Sequence, residues 1–171
     1  MGSPRRLRKK YERPKEMWDI ARIKEDHALV EAYALKNESE LWKVQSEIRR
    51  IRRNVREILS GKLREEVGKE IIRRLARLGI VNEESSLEAL FELKPEQFLE
   101  RRLQTLVFKK GLASSLKQAR QLITHGFISI KGVKARIPGY LVKKDEESMI
   151  GYYKPIEIVT KAKGNEAGSN G

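Results

Sequence analysis

Apolar side chains recur at alternating intervals of three and four residues after position 37, which is the spacing of a packed α-helix. The residues of this stripe are Leu41, Val44, Ile48, Ile51, Val55 and Ile58. Asn37 and Glu40 have the spacing of a capping box at its start, and Gly61 ends it. A second helical stripe follows and ends at Gly79. The short link between the stripes predicts an antiparallel helical hairpin over about 37–78.

Further along the chain, helix signals give way to short strand signals. Pro95 suits the first turn of a helix that continues through Val107 to a stop at Gly111. Ser114 or Ser115 is a cap for a further helix, which ends at Gly126. Strands are predicted at 127–130 and 133–137 around a Lys131-Gly132 turn, and at 140–142 and 148–153, separated by a polar loop at 143–147.

These patterns divide the chain into four parts and predict an α+β fold. Residues 1–16 lack apolar periodicity and are expected to be an extended basic arm, ordered only on a partner. Residues 17–94 form a helical N-terminal domain that contains the hairpin, although the helical signal over 17–36 is ambiguous. Residues 95–160 form a helix–helix–short-strand module, and the low-complexity tail at 161–171 is expected to be disordered.

Composition narrows the classes of function. The 171 residues include 37 Lys and Arg against 24 Asp and Glu, which gives a net charge of +13. Cysteine is absent and there are two histidines, which argues against thiol chemistry and against a Cys- or His-built metal site. No apolar run is long enough to span a membrane. We therefore expect a soluble, intracellular, cationic protein whose partner is a polyanion.

The positive charge is unevenly distributed. From position 101 to 144 there is no Asp or Glu, while the window holds eleven Lys and Arg residues. A surface that serves solubility alone mixes both signs, so an acid-free stretch favours a polyanion partner. Two further clusters are the arm (Arg5, Arg6, Arg8, Lys9 and Lys10) and the first hairpin helix (Arg49, Arg50 and Arg53).

Helical spacing predicts where these cations point. Lys117, Arg120, Gln121 and Thr124 share one outward stripe, and helix N-termini that carry serines favour phosphate oxygens. Arg49, Arg50 and Arg53 lie opposite the apolar stripe of their helix. For these arginines two interpretations stay open, because nearby glutamates could pair with them on a solvated helix surface.

Residues 98–132 read FLERRLQTLVFKKGLASSLKQARQLITHGFISIKG, and this run resembles the alpha-L RNA-binding module. Its first part, FLERRLQTLVFKKGLA, closely resembles the archaeal and eukaryotic branch of ribosomal small-subunit protein family four. The chain departs from the generic module at Gln104, Leu116 and Lys131. Some bacterial relatives carry a cysteine zinc knuckle, which this cysteine-free chain is not expected to have.

The resemblance implies a structural component of the small ribosomal subunit that binds the 5′ domain of small-subunit rRNA and nucleates assembly in the cytoplasm. It further implies contacts with neighbouring small-subunit proteins and with mRNA near the channel through which it enters the ribosome. It implies no cofactor and no small-molecule substrate. The implied RNA-facing residues are Arg101, Arg102, Gln104, Lys109, Lys110, Ser115, Lys117, Gln118, Arg120, Gln121, His125, Ser129 and Lys131. Lys134 and Arg136 of the return strand, the arm and the helix arginines complete the predicted RNA-binding set.

Three other interpretations compete with this one. Enzymes that modify RNA carry the same module, but residues 1–94 contain no Gly-rich phosphate loop and no Ser/His/Asp set. A free RNA chaperone or ribosome-associated factor could use the module as well, although three basic surfaces favour an embedded ribosomal component. Charge alone does not exclude a DNA-binding protein, and the resemblance argues against it.

Overall fold

The structure, a computed structural model, describes residues 11–154, which form helices and a small three-stranded sheet toward the C-terminal end of that range. The helices are α1 (Ile20–Ala32), α2 (Glu38–Leu59), α3 (Glu65–Leu78), α4 (Pro95–Glu100), α5 (Leu103–Lys109), α6 (Leu116–His125) and α7 (Lys144–Glu147). A 3₁₀ helix at Glu88–Glu92 precedes α4, and the strands are β1 (Ile128–Ile130), β2 (Val133–Ala135) and β3 (Ile150–Tyr152). The predicted α+β class is confirmed. No helix within the described range is long and apolar enough to cross a membrane.

The apolar stripe of α2 is the centre of the N-terminal core. Five of its six residues are buried, and Val44 is partly buried. The stripe packs against Leu75 of α3, against Leu90 and Leu93 from the segment before α4, and against Phe98 within α4. The predicted helical hairpin is confirmed, since α2 and α3 pack together across a link of a few residues.

The predicted capping box at the start of α2 is wrong. The Asn37 side chain makes no capping hydrogen bond to the helix backbone, and its Oδ1 instead accepts from Ser39 Oγ at 2.8 Å. Glu40 is not available as the reciprocal partner, because its carboxylate is bound by two arginines of the second half of the chain. Tertiary contacts have therefore replaced a local interaction.

The single helix predicted from Pro95 is broken into α4 and α5. Arg102 at the break has extended backbone angles, with φ −72° and ψ 143°. The backbone N–H groups of Leu103 and Gln104 donate to the Tyr140 and Pro138 carbonyls at 2.8 and 3.2 Å. These long-range partners satisfy donors that an unbroken helix would satisfy internally. The strand predicted at 140–142 is reduced to one bridge between Leu141 and Arg102.

The three strands form an antiparallel sheet in the order β2-β1-β3. Lys131 and Gly132 form the predicted turn, and both have positive φ. The polar loop predicted at 143–147 is instead helical, as α7. One face of the sheet and the helices α5 and α6 enclose the module core, in which Leu103, Ile123 and Ile128 are fully buried.

Part of the predicted arm packs against α2. Glu12 N–H donates to Ser46 Oγ at 3.0 Å, and the Tyr11 ring lies 6.0 Å from the Trp42 ring. The arm therefore touches α2 at its C-terminal end, and the expectation that it becomes ordered on a partner stays a prediction. The arm cations at 5–10 and the tail at 161–171 lie outside the described residues. The ambiguous 17–36 segment is largely α1, capped by the Asp19 carboxylate.

Candidate nucleic-acid interface

The cations of the acid-free window divide into two groups in the structure. Arg101, Arg102 and Arg120 each lie within 2.7 Å of a carboxylate oxygen. Lys109 and Lys131 lie farther from theirs, at 3.5 and 3.6 Å. Six are exposed and have no carboxylate oxygen within 4.0 Å in the described part of the chain, namely Lys110, Lys117, Lys134, Arg136, Lys143 and Lys144.

Helix α6 presents the first part of the exposed group. Ser115 begins the helix, and its Oγ accepts from the Gln118 backbone N–H at 3.2 Å. The Gln118 side-chain oxygen in turn accepts hydrogen bonds from Ser114 at 2.6 Å. Ser115 and Gln118, which are predicted to contact RNA, therefore take part in the N-terminal cap of α6. Lys117, Gln121, Thr124 and His125 are all exposed, and their spacing places them along one side of the helix.

Strand β2 extends this polar side of α6. Lys134 and Arg136 are exposed, and both lie against Gly126, which ends α6 with φ +75°. A side chain at Gly126 would displace the flexible Lys134 stem, which can move aside, so glycine is needed here for its left-handed backbone conformation. The Lys134 ammonium also lies 5.5 Å from the Tyr153 ring centroid. We call this exposed set the module surface: Lys117, Gln121, Thr124, His125, Lys134 and Arg136.

A second set of polar side chains from the window faces the interior. Glu40 of α2 is bound by Arg102 Nη2 at 2.6 Å and by Arg120 Nη2 at 2.5 Å. Arg120 Nη1 donates to Gln104 Oε1 at 3.2 Å. The Gln104 amide donates to the backbone carbonyls of Ala34 and Leu116, at 3.2 and 3.0 Å. We call Glu40, Arg102, Gln104 and Arg120 the Glu40 cluster, and it connects the N-terminal helices to the module.

The pKa of Glu40 shows that the cluster stabilises the ionised form of this carboxyl group. Burial opposes ionisation of this carboxyl, but the hydrogen bonds and charges of Arg120 and Arg102 outweigh that effect. They lower the pKa of Glu40 from 4.5 to about 2. The carboxylate is therefore ionised at neutral pH, and both arginines are paired with it inside the protein, although its one negative charge balances only one of their two positive charges.

The outward placement expected for several predicted RNA-facing residues is wrong. Arg102 and Gln104 are almost fully buried, and Arg120 is only 22% exposed because it reaches back to Glu40. Arg101 binds Glu147 at 2.7 Å and the Val142 carbonyl at 3.2 Å. Ser129 is buried in the sheet and donates to the Gly151 carbonyl at 3.3 Å. Helical spacing could not predict these ion pairs, because Glu40 lies 62 residues from Arg102 and 80 residues from Arg120 in the sequence.

Two lysines that are predicted to contact RNA lie near carboxylates in the structure. Lys109 lies 3.5 Å from Glu100, and Lys131 lies 3.6 Å from Glu146. Burial opposes ionisation of Glu146, but a hydrogen bond from Tyr140 and nearby lysines prevail and lower its pKa. Both lysines remain about half exposed and can exchange these weak partners for phosphate oxygens.

The arginines of α2 form a separate exposed surface. Arg49, Arg50, Arg53 and Arg56 are exposed, and we call them the α2 arginine face. Glu47 lies 2.7 Å from Arg74 of α3 and 3.7 Å from Arg50. In the described range no carboxylate oxygen lies within 4.0 Å of Arg49, Arg53 or Arg56. Of the two open interpretations, pairing with glutamates therefore accounts for Arg50 alone.

The predicted arm meets the α2 arginine face. Tyr11 and Glu12 line a groove of about 400 Å³ together with the four arginines of that face. The chain that carries Arg5, Arg6, Arg8, Lys9 and Lys10 enters the described structure at this groove. The first described residues of the chain therefore lie beside the α2 arginine face.

Comparisons with known proteins identify the family to which the chain is similar. Residues 101–148 match the family described as S4 domain. The chain is 48% identical over 156 residues to the small ribosomal subunit protein uS4 of Methanothermobacter thermautotrophicus, which covers 90% of this chain and 91% of that protein. It is 46% identical over 154 residues to the protein of the same name from Hyperthermus butylicus, with 89% and 88% covered. For that of Ignicoccus hospitalis the identity is 44%, with 89% and 93% covered.

Proposed function

The chain belongs to the uS4 family of small ribosomal subunit proteins, and from that premise we propose that it binds small-subunit rRNA directly and nucleates assembly of the subunit. The chain is a structural component of the ribosome and not an enzyme. The 5′ domain of the rRNA is the proposed target. Neighbouring small-subunit proteins, and mRNA near the channel through which it enters, are the further proposed partners.

The observation that carries the proposal is the division of cations within the acid-free window. Arg102 and Arg120 are paired with a carboxylate in the Glu40 cluster, whereas Lys117, Lys134 and Arg136 are exposed without a carboxylate partner in the described range. A rigid helix and a rigid strand hold these exposed cations at fixed positions. The cations are therefore suited to contact phosphate oxygens along an RNA backbone. The module surface is therefore the proposed primary contact with RNA.

The α2 arginine face is the proposed second contact. Arg49, Arg53 and Arg56 lack compensation by carboxylates in the described range, and the predicted cationic arm joins the chain beside them. Two cationic surfaces on different parts of one protein can neutralise phosphates where RNA helices converge. That arrangement favours an embedded ribosomal component over a free RNA chaperone, which is the second candidate function.

Binding across a salt series tests the proposal. The purified full chain is titrated with a transcript of the small-subunit rRNA 5′ domain, with an unrelated RNA of equal length and with duplex DNA. We expect a preference for the rRNA transcript that persists as salt rises, because shape recognition adds to the electrostatic term. Equal affinities that collapse together with salt would contradict rRNA recognition and favour the chaperone.

A further inference from the structure

An open groove of about 420 Å³ separates the N-terminal segment from α2 and the start of α4. Its apolar walls are Pro14, Ile48, Leu93 and Pro95. Its volume lies in the range of about 300–1,000 Å³ that is usual for sites that bind small molecules or single groups. The groove lies apart from the module surface and is not used by the contacts proposed above.

Uncompensated positive charge lines the groove. Four cations, Lys15, Arg22, Arg49 and Arg52, face two carboxylates at Glu16 and Asp19. Asp19 is already engaged, since it caps α1 by accepting from two backbone N–H groups. Arg22 is paired with the buried Asp26 at 2.7 Å. The remaining three cations have no carboxylate oxygen within 4.0 Å among the described residues.

Arg52 is the most informative of these cations. Its Nη2 donates to the Leu93 carbonyl at 2.8 Å, while its Nε is buried without a hydrogen-bond partner. Arg22, Arg101 and Arg102 also have an unpaired buried Nε, but each lies 2.6–2.7 Å from a carboxylate. Within the described range, Arg52 thus combines partial burial with an uncompensated charge, which an anion in the groove would remedy.

Trp18 lies between two residues that line the groove, Glu16 and Asp19, and its side chain is 90% exposed. Its neighbours Met17 and Ile20 are exposed as well. An indole ring is a large apolar surface and a strong platform for a nucleic-acid base, so such exposure indicates a partner. The indole is not part of the groove lining, and Trp18 lies beside the groove, at the edge that Glu16 and Asp19 form.

We propose that this groove binds one unpaired nucleotide of the RNA, with its phosphate in the groove near Arg52, Arg49 and Lys15 and its base on Trp18 at the groove's edge. This inference rests on the proposed function and names the RNA feature that the N-terminal region recognises. Bases with an exposed face occur in loops, bulges and junctions of folded RNA, whereas paired helices offer only their edges and backbone. The groove and the module surface would therefore recognise different features of one RNA.

Fluorescence of Trp18 reports occupancy directly. Trp42 is the second tryptophan of the chain, so Trp42→Phe leaves Trp18 as the single emitter. On adding the 5′-domain transcript we expect quenching of Trp18 and a several-fold loss of its accessibility to acrylamide. Unchanged acrylamide accessibility in the saturated complex would overturn the proposal. Protection of Trp18 only in assembled subunits would also overturn it, because a neighbouring protein would then cover the groove.

Chemical probing of the transcript gives a second readout that retains Trp42. In complexes with Trp18→Ala or Arg52→Gln we expect the protection of a single unpaired nucleotide to be lost, while the rest of the footprint persists. Affinity should fall about tenfold for Trp18→Ala, as for other losses of base stacking. Arg52→Lys, which keeps the charge, should retain more of the protection than Arg52→Gln.

Matched controls separate the groove from general effects. Leu59→Ala removes an apolar side chain that is 57% exposed elsewhere on α2, and it should leave both footprint and affinity unchanged. Thermal melting of each variant verifies that the fold is retained. If the wild-type chain prefers the rRNA transcript but Trp18→Ala and Arg52→Gln bind it with unchanged footprints, the nucleotide site is wrong and the proposed function stands. If the wild-type chain shows no preference, the proposed function itself fails.

Discussion

The Glu40 cluster and the module surface use the same residue types from the same acid-free window, yet their environments are opposite. In the Glu40 cluster, Arg102 and Arg120 are paired with one carboxylate that α2 supplies. On the module surface, Lys117 and Arg136 are exposed and have no carboxylate within reach in the described range. One set of cations holds the two halves of the chain together, and the other faces outward.

The difference shows that a count of charges along the sequence does not separate structural cations from binding cations. Arg120 and Lys117 lie three residues apart on one helix, but Arg120 points toward Glu40 and Lys117 toward solvent. A buried pair contributes to folding through the penalty of leaving either partner alone, whereas an exposed lysine contributes little to folding. Stability and salt dependence of RNA binding should therefore respond to different members of one charge run.

The largest effect on stability is expected from Glu40→Gln, which removes the one carboxylate that is paired with both arginines. Breaking a fully buried pair by deleting one partner costs about 3–5 kcal/mol, and because Glu40 is 18% exposed we expect a loss at the lower end of that range. Denaturant unfolding of the full chain at neutral pH measures the loss. Glu47→Gln is the control, because its pairs with Arg50 and Arg74 are more exposed and should contribute at most about 1 kcal/mol. Equal losses in both variants would contradict the structural role of the cluster.

The pH dependence of the same variant sharpens the comparison. Because the folded-state pKa of Glu40 is lowered from 4.5 to about 2, its contribution is fully present above about pH 4.5 and is lost as the pH falls toward 2. A shift of that size corresponds to about 3 kcal/mol. We expect the difference in unfolding free energy between wild type and Glu40→Gln to shrink across this interval. A difference that stays constant from pH 6 to pH 2 would rule out this linkage.

A smaller loss is expected from Arg120→Ala. The substitution leaves Arg102 paired with Glu40, so the carboxylate remains compensated, and the expected cost is about 2 kcal/mol. The salt dependence of rRNA binding should hardly change, since Arg120 is turned inward. A decrease of the salt slope by about one, with unchanged stability, would instead place Arg120 in the RNA interface.

The smallest effect on folding is expected from Lys117→Ala, at less than about 0.5 kcal/mol, because the side chain is exposed and unpaired. Its effect should appear in RNA binding, as a decrease of about one in the slope of log K against log salt. Lys62→Ala, at an exposed position in the link of the hairpin, is the control and should leave the slope unchanged. An unchanged slope for Lys117→Ala would remove the residue from the interface.

Local sequence patterns were sufficient to predict the elements that depend on interactions between residues close in sequence. The stripe of α2, the Ser115 cap and the Gly126 stop of α6 are all present in the structure. The break between α4 and α5 had no local signal, because its backbone donors are satisfied by the distant Tyr140 and Pro138 carbonyls. The exposure of Lys117, Gln121 and Thr124 followed helical periodicity, and Arg120 departed from it because its long side chain reaches Glu40.

The sequence by itself determined the α+β class, the helical hairpin, the cationic character and the resemblance to a ribosomal family, since these depend on periodicity, composition and a contiguous motif. Only the tertiary structure decided which cations are free. Whether an arginine meets a carboxylate depends on contacts between residues 62 and 80 positions apart, and the fold brings those residues together. The arginines that are paired with Glu40 serve the fold, and the exposed cations without a carboxylate partner in the described range remain available to bind RNA.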